Sequence, residues 1–572
     1  MSTEAFRLQH LSFSYPGQHG RALDDVSLLV NQGEMLVVMG ATGAGKSTLA
    51  KCLNRAVPGF QSGTLTGSIA ILGRELHEEG VANLAGVVGL VSQDFESQLF
   101  ATNVLQEVVF GMEQLGVPPG EMQRRVPRAL EAVGLLGFER RDPATLSGGE
   151  KQRLAIAATL ALQPSILVFD EPTTDLDPLG KLEVFAVLAT MHSQGYTLIV
   201  IEHEVAAAER ADRLIVLSQG RVIADDSPAV VLSQVDFLRT HGIRPPDLSA
   251  IAARLQLAPP PRSIDEAEAV LRPRLGSKRM TPDSAFTTSS SQPTAVSTQP
   301  STPPVIQVEG VGFQYDSGAP ALAPALAAVS LTICPGEFIA MIGQNGSGKT
   351  TLAKHLNGLL TPTTGRVLLL GRDLRELRIT QVAAEVGYVF QNPDHQIFAA
   401  TVHDEVAFGP RNFGLRSAEI DERVSDALQA VGLSGLEAED PFLLSKGHRQ
   451  RLAVASVLAL HPRVLILDEP TTGLDYAEQR RMMDLLARLH DGGLTILMIT
   501  HSPWVVAEYA QRGVLMGGGR LLFDGPLRTL FAEEALLERA HFRAPDATRL
   551  GRRLGFTPLS VEELLVGLSA TG

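Results

Sequence analysis

One set of motifs is written twice in this chain, in the same order. "GATGAGKST" at 40–48 returns as "GQNGSGKTT" at 343–351, and "FDEPTTDLD" at 169–177 returns as "LDEPTTGLD" at 467–475. Asp170 and Asp468 lie 298 positions apart, and so do His203 and His501. Repeated order at a nearly constant offset indicates duplication and fusion. Each half of the 572 residues is therefore expected to fold around its own core.

The stretch between the two copies is rich in Ser, Thr and Pro and almost free of apolar residues. Such a composition cannot bury enough apolar surface to order a chain. We therefore predict domains at 1–272 and 305–572, joined by a disordered linker at 273–304. Each copy ends in related wording, "RPPDLSAIAARLQL" at 244–257 and "RAPDATRLGRRLGF" at 543–556, which predicts a small helical extension. These extensions could cover surface or support dimerisation, and the sequence leaves both roles open.

The net charge of −14 argues against a general nucleic-acid binder, which normally presents a basic face. The N-terminal segment lacks the basic and apolar regions of a signal peptide, and no apolar run is long enough to span a bilayer. Any membrane role is thus expected to come through partners. Cys52 and Cys334 are far apart and lack metal-site spacing, which predicts two reduced thiols.

Both copies carry G-x-x-x-x-G-K-[ST] after an apolar strand, "EMLVVMG" at 34–40 and "EFIAMIG" at 337–343. Glycines in this pattern let backbone N–H groups and a helix N-terminus surround phosphates, and the lysine reaches the β- and γ-phosphates. We predict an α/β fold with two P-loop cores and ATP as ligand. The expected nucleotide-binding residues are Gly40, Gly43, Gly45, Lys46, Ser47 and Thr48, then Gly343, Gly346, Gly348, Lys349, Thr350 and Thr351.

Acidic and histidine side chains at the ends of further apolar strands complete a hydrolytic site in each half. Ser47 and Thr350 would ligate Mg²⁺, and Asp170 and Asp468 would hold its shell. The next residues, Glu171 and Glu469, are placed to accept the proton of an attacking water. His203 and His501 are expected to contact the γ-phosphate. Tyr15 and Tyr315 are candidates to stack on adenine, and the alternative is that both are core aromatics.

The motifs "LSGGEKQR" at 146–153 and "LSKGHRQR" at 444–451, with Gln93 and Gln391, complete an ordered set that resembles the ABC ATPases. The resemblance covers nearly the whole chain outside the linker. It implies that each α/β domain also has a helical signature subdomain and an antiparallel β subdomain. It further implies that Gln93 and Gln391 contact both the nucleotide and Mg²⁺.

A closer likeness lies in "VFQNPDHQIFAATVHDEVAFGPRNFG" at 389–414, which resembles the Gln-loop region of energy-coupling-factor (ECF) transporter ATPases. That family implies a peripheral ATPase on the cytoplasmic face of the cell membrane. It would work with a membrane T-component and a substrate-binding S-component to import a vitamin or a metal ion. Glu96, Asp394 and Glu405 are candidates to receive basic coupling helices, or they form a solvated acidic face. The alternatives are another ABC importer group, or a soluble tandem ATPase acting on ribosomes or DNA.

In ABC ATPases the signature motif of one domain closes over the nucleotide of the other. The resemblance thus assigns Ser147, Gly148 and Gly149 to the site of Lys349, and Ser445, Lys446 and Gly447 to the site of Lys46. Lys446 puts a long side chain where Gly148 keeps bare backbone. We expect one consensus and one impaired site, with the two domains pairing within one chain. Harmless drift with both sites active is the alternative for the sites, and pairing between two chains is the alternative for the domains.

Overall fold

The computed structural model describes residues 3–17, 20–76, 80–274, 303–315 and 324–569. The described residues group into two compact units, 1–260 with 475–477, and 261–474 with 478–572. The predicted linker at 273–304 lies almost wholly outside the described residues. The domain boundaries derived from the sequence therefore stay a prediction.

The first unit contains two sheets. Its strands are β1 (Glu4–Ser14), β2 (Leu23–Asn31), β3 (Met35–Met39), β4 (Thr64–Ile71), β5 (Arg74–Glu75), β6 (Val88–Val91), β7 (Ile166–Asp170), β8 (Thr197–Ile201), β9 (Arg213–Ser218) and β10 (Arg221–Asp226). A four-stranded antiparallel sheet has the order β2-β1-β4-β5. The six-stranded sheet has the order β10-β9-β3-β8-β7-β6, parallel except for β10.

Helices pack around these sheets. They are α1 (Lys46–Leu53), α2 (Ala56–Gly59), α3 (Val81–Leu84), α4 (Val104–Gln114), α5 (Pro119–Ala132), α6 (Gly148–Ala161), α7 (Pro178–Ser193), α8 (Val205–Ala208), α9 (Pro228–Leu232), α10 (Val235–Thr240) and α11 (Asp247–Leu255). Helices α4, α5 and α6 contact one another and form the helical part next to the signature sequence. The short α10 follows the sheet, and α11 after it lies within the predicted extension at 244–257.

The strand sequences explain why the six-stranded sheet is buried on both faces. In β3, Met35, Val37 and Met39 join one apolar core, whereas Leu36 and Val38 join the other. Side chains alternate across a strand, so a continuous apolar run serves the cores on both faces. Because the parallel strands end at one edge, the residues after β3, β7 and β8 meet there.

The second unit repeats this architecture. Its strands are β11 (Ile306–Phe313), β12 (Leu326–Ile333), β13 (Phe338–Ile342), β14 (Thr364–Leu369), β15 (Arg372–Asp373), β16 (Val386–Val389), β17 (Val464–Asp468), β18 (Thr495–Ile499), β19 (Arg512–Gly517) and β20 (Arg520–Pro526). The sheet orders are β12-β11-β14-β15 and β16-β17-β18-β13-β19-β20. Both correspond strand for strand to the first unit, which confirms the duplicated α/β fold with antiparallel β parts.

The helices of the second unit are α12 (Ile264–Leu271), α13 (Lys349–Leu356), α14 (Ile379–Ala383), α15 (Val402–Asn412), α16 (Ser417–Val431), α17 (Lys446–Leu458), α18 (Tyr476–Asp491), α19 (Pro503–Tyr509), α20 (Leu527–Ala532), α21 (Glu534–Arg539), α22 (Asp546–Leu554) and α23 (Val561–Ser569). Single-turn 3-10 helices cover Glu96–Gln98, Pro143–Thr145, Arg272–Arg274, Leu374–Glu376, Pro393–His395 and Pro441–Leu443.

Helix α12 precedes the linker stretch in sequence, yet it packs against α22 near the C-terminus. Ile264, Ala267 and Leu271 are its buried residues. Arg553 of α22 pairs with Asp265 and Glu268, the latter at 3.2 Å. Apolar burial flanked by ion pairs thus holds α12 in the second unit.

Two further expectations concern cysteine and membrane segments. Cys52 is buried, Cys334 is half-buried, and both are free thiols as predicted. Among the residues that the structure describes, none of the helices has the length and apolarity that crossing a bilayer requires.

Candidate active site

The glycine loop after β3 bends tightly around the start of α1. Gly45 is the N-cap of α1 with φ of 103°, and a Cβ there would lie 2.3 Å from the Ala22 carbonyl oxygen. Only glycine fits this position without strain. The Lys46 ammonium donates to the carbonyl oxygens of Gly40 at 2.9 Å and Ala41 at 3.0 Å. Lys349 donates to Gly343 and Gln344 at 2.7 and 2.8 Å in the same way.

Each loop places a buried cation beside buried acids. Lys46 is 5% exposed, and burial lowers the pKa of its ammonium although Glu171 and Asp170 counteract the shift. A buried ammonium at a glycine loop whose backbone N–H groups can face an anion is suited to bind a polyphosphate. The second loop has the same arrangement of Lys349, which is also 5% exposed.

Hydroxyl and carboxylate oxygens meet where β7 and β17 end. The Ser47 hydroxyl donates to Asp170 Oδ1 at 3.1 Å, and the Thr350 hydroxyl donates to Asp468 Oδ2 at 3.0 Å. Hard oxygen donors of this kind suit Mg²⁺, which usually completes its shell with water and phosphate oxygens. The described residues hold no cluster of three or more His, Cys, Asp or Glu side chains fit for a metal. The hydroxyl and carboxylate oxygens of each pair fit a Mg²⁺ ion that is bound together with a nucleotide.

Glu171 is the centre of the first hydrolytic cluster. His203 Nε2 lies 3.0 Å from its Oε1, Gln93 Nε2 donates to its Oε2 at 2.8 Å, and the Thr174 hydroxyl donates at 3.1 Å. Its backbone has φ of 50°, a conformation that non-glycine residues rarely adopt and that is typical of functional sites. The predicted residues Glu171, His203 and Gln93 are thus brought together.

The adjacent acids of the first unit have opposite shifts. Burial raises the pKa of Asp170 to about 6, with the Glu171 charge adding to the effect. Burial also opposes ionisation of Glu171, but the bond to His203 and the nearby Lys46 charge prevail and lower its pKa to about 2. Glu171 therefore stays ionised, and a divalent cation would offset the cost of ionising Asp170.

The second unit matches this cluster except at its glutamine. His501 Nε2 lies 3.1 Å from Glu469 Oε1, and Glu469 also has φ of 50°. Gln391 is exposed, whereas its counterpart Gln93 is half-buried and bonded to Glu171. The metal contact expected for Gln93 and Gln391 stays a prediction.

Tyr15 and Tyr315 lie next to the P-loop helices. Their hydroxyls are 3.3 Å from Thr48 Oγ1 and 3.2 Å from Thr351 Oγ1. Each ring meets a phenylalanine edge-on, Phe13 and Phe313 respectively. Tyr315 is 49% exposed, so part of its ring is open to a ligand. Stacking on adenine stays a prediction.

The two signature sequences cap their helices differently. Ser147 is the N-cap of α6 in a capping box, with its hydroxyl accepting from Glu150 N and its backbone N donating to Glu150 Oε2 at 2.8 Å. Ser445 caps α17 by accepting from His448 N, and its hydroxyl also lies 2.7 Å from His448 Nδ1. Burial lowers the pKa of His448, which favours the neutral ring as hydrogen-bond acceptor. The Ser445 hydroxyl is therefore engaged inside its own helix.

Lys446 directs its ammonium toward its own domain. A Cβ on Gly473 would lie 2.2 Å from Lys446 Nζ. The ammonium of Lys446 therefore occupies the space that a side chain at position 473 would need. In the first unit Asp175 occupies the position of Gly473, and Gly148 that of Lys446. Both loop residues have positive φ, 65° for Asp175 and 68° for Gly473. The first unit thus combines Gly148 with the larger Asp175, whereas the second combines the larger Lys446 with Gly473.

Two glutamates are buried hydrogen-bond acceptors, a role that their sequence context did not indicate. Glu405 is 3% exposed, and its Oε2 accepts from the backbone N of Phe398 and Ala399 at 2.9 Å each. The prediction that Glu405 is a surface acid for coupling helices is wrong, because its side chain is buried and accepts hydrogen bonds from two backbone N–H groups. Glu107 does the same for Phe100 and Ala101. Glu107 and Glu405 occupy equivalent positions of the two copies, and this repetition was the sequence pattern that could have indicated their shared role.

The segment that these glutamates hold displays an aromatic pair in each unit. Phe100 is 61% and Phe398 59% exposed. Their ring centroids are 4.5 Å from Phe110 and 4.7 Å from Phe408, which are also exposed. The other two proposed acids are already paired, Glu96 with Lys151 at 2.6 Å and Asp394 with Arg449 at 2.7 Å.

Glu202 is another buried acid, and no sequence pattern indicated its role. It is 2% exposed and accepts from the backbone N of Thr173, His203 and Glu204, and from the Thr173 hydroxyl. Burial raises the pKa of its carboxyl. Glu202 ties the segment after Glu171 to the strand end that carries His203. Thr500 holds this place in the second unit.

Known proteins share both the motifs and the length of this chain. The ABC transporter family model matches residues 23–174 and 326–472. An ABC transporter ATP-binding protein of Caldanaerobacter subterraneus subsp. tengcongensis is 46% identical over 570 residues, covering 99% of both chains. Another from Methanosarcina acetivorans is 40% identical, covering 98% of this chain and 92% of its own.

A solved structure, cbiO1 from Clostridium perfringens, is described as part of the ABC transporter complex cbiONQ. It is 35% identical over 44% of this chain and 98% of its own, with a TM-score of 0.38. The family model and the full-length relatives are sufficient for an assignment. The chain belongs to the ABC transporter family, and its two units are ATP-binding ATPase domains.

Proposed function

We propose that this chain is the ATP-hydrolysing subunit of an ECF-type importer for a vitamin or a metal ion. It would bind, as a peripheral protein on the cytoplasmic face of the membrane, to a T-component that is coupled to an S-component. The likeness of 389–414 to the Gln-loop region of ECF ATPases supports the importer type. The observation that carries the proposal is the exposed aromatic pair beside each Gln loop.

Adjacent exposed aromatic rings, unlike a single exposed apolar residue, are typical of an interaction site, because leaving a joined apolar patch in water is unfavourable. Phe398 follows Gln391 by seven positions, and Phe100 follows Gln93 by the same number. The backbone that presents each ring is fixed by a buried glutamate, so the rings are held outward rather than collapsed onto the domain. A membrane subunit with an apolar cytoplasmic helix would be recognised by such a surface, and movement of the Gln loop would reach it directly.

The residues of each site support in-line hydrolysis of a nucleotide. Lys46 and Lys349 would bind its phosphates, and Ser47, Asp170, Thr350 and Asp468 would hold Mg²⁺ with it. Mg²⁺ would neutralise phosphate charge as it does in other P-loop enzymes. Glu171 and Glu469 would accept the proton of the attacking water, and His203 and His501 hold those carboxylates in place. Closure of the domains on ATP and their reopening after hydrolysis would drive transport.

The two sites are proposed to differ in activity. The signature sequence of the second unit would complete the site of Lys46, and in it the Ser445 hydroxyl is engaged by His448 and Lys446 replaces a glycine. The site of Lys349 would receive Ser147, Gly148 and Gly149. Glu469→Gln is expected to abolish most ATP turnover, and Glu171→Gln to cost much less. Equal losses in a steady-state ATPase assay would contradict the asymmetry.

Recovery of the tagged chain from its own membranes in mild detergent tests the transport role. We expect a T-type membrane subunit and a small apolar S-type protein to co-purify, and the latter would indicate the cargo. The variant Phe100→Glu/Phe398→Glu should lose these partners but keep ATP binding. Leu182→Glu, at another exposed apolar residue, is the matched control. Recovery with ribosomal proteins, or without any membrane protein, would contradict the importer proposal.

A further inference from the structure

The second unit contains a buried tyrosine that contacts a proposed metal-holding acid and has no counterpart in the first. Tyr388 is the third residue of β16 and is 9% exposed. Its phenol donates to Asp468 Oδ2 at 3.0 Å. The equivalent residue of β6 is Leu90, which cannot form such a bond.

The difference is one of side-chain chemistry and not of backbone position. Tyr388 pairs with Ile466 of β17, and Leu90 pairs in the same register with Val168 of β7. In both units the paired residue is two positions before the aspartate. The carboxylates are almost equally buried, at 5% exposure for Asp170 and 6% for Asp468.

Two hydroxyls converge on one oxygen of Asp468. Thr350 Oγ1 and the Tyr388 phenol both donate to Oδ2, each at 3.0 Å. Asp170 receives the equivalent bond from Ser47 at 3.1 Å, without a phenol. The Tyr388 ring is itself held edge-on by Phe390 at 4.9 Å between centroids. A rigid ring that donates to a buried carboxylate fixes the rotation of that carboxylate before any metal binds.

We propose that Tyr388 is a positioning residue that orients Asp468 for Mg²⁺ and makes the metal site of the second unit tighter than that of the first. The proposal rests on the nucleotide and Mg²⁺ roles given above. Hydrogen-bond partners of metal ligands typically change metal affinity by about 10–100-fold when they are removed. The tyrosine would thus strengthen the site that also has the consensus signature sequence.

Mn²⁺ titration of the full chain with saturating AMP-PNP, followed by electron paramagnetic resonance, tests the proposal. We expect two classes of Mn²⁺ site in the native protein. Tyr388→Phe, which removes only the hydroxyl, should weaken the tighter class about tenfold and leave the other unchanged. Leu90→Tyr should strengthen the weaker class, because it supplies a phenol at the equivalent register of the first unit.

Two controls separate positioning from folding. AMP-PNP affinity in EDTA and the thermal midpoint should be unchanged in Tyr388→Phe if its hydroxyl acts on the metal. Unchanged Mn²⁺ affinities in Tyr388→Phe would overturn the role of Tyr388 but not the Mg²⁺ role. Equal losses of AMP-PNP affinity with and without metal would do the same. A native protein that binds AMP-PNP without any Mn²⁺ dependence would overturn both this proposal and the Mg²⁺ role on which it rests.

Discussion

The variant Asp170→Asn is expected to stabilise the nucleotide-free first unit while removing its metal function. Burial raises the pKa of Asp170 from 3.8 to about 6, and the charge of Glu171 adds to this shift. A raised pKa in the folded state means that ionisation disfavours folding. The contribution of Asp170 to the free energy of unfolding therefore falls as the pH rises from 3.8 through about 6.

The size of the pKa shift of Asp170 determines how much free energy of unfolding the substitution should gain. About two pKa units correspond to about 3 kcal/mol at neutral pH. Asparagine keeps an oxygen for the Ser47 hydroxyl but carries no charge, so it avoids this cost and also loses the attraction of Lys46. We expect a net gain of about 1–3 kcal/mol, or roughly 2–4 °C in midpoint per kcal/mol for a domain of this size.

Scanning calorimetry in EDTA without nucleotide measures this gain. At pH 5 it should shrink to about half, because Asp170 is then largely protonated in the folded protein. Asp468→Asn is the matched comparison. The pKa of Asp468 is raised by burial, but the hydroxyls of Thr350 and Tyr388 oppose the rise, so its gain should be smaller. A lower midpoint for Asp170→Asn at pH 7.5, or a gain independent of pH, would refute the reasoning.

Two further substitutions test contacts at the edge of the sites. His448→Glu introduces the residue of Glu150, which should restore the capping box and raise the free energy of unfolding by about 0.5–1 kcal/mol in urea titrations; a loss of stability would contradict this. Glu202→Gln replaces one of two oxygens that accept from backbone N–H groups by a donating NH₂ group. The value of kcat should therefore fall about tenfold with KM unchanged, as expected when about 1.4 kcal/mol of positioning is lost around His203. Glu204→Gln is its control, and an equal loss there would argue against a specific role for Glu202.

Local motifs allowed much of the fold to be predicted. The glycine loops and the doubly buried strands depend on neighbours within a few residues, and both lie where they were expected. The acids and histidines at strand ends, such as Glu171 and His203, also meet as predicted, because parallel strands end at one edge.

The residues that escaped prediction act over long sequence separations. Tyr388 reaches Asp468 across 80 positions, and Glu202 reaches Thr173 across 29. Neither separation has a local pattern that indicates contact. Glu405 shows the converse error, because its charge favoured a surface role while two backbone N–H groups hold it inside. Position-by-position comparison of the two copies would have highlighted Leu90 against Tyr388.

The packing of α12 has a consequence for anyone who wishes to produce the halves separately. A first-half fragment that ends at the start of the Ser/Thr/Pro stretch would retain α12 without α22, its packing partner. Ile264, Ala267 and Leu271 would then face water, and such a fragment would tend to aggregate. Ending it at Pro260 instead leaves α12 with the second half, where α22 covers it.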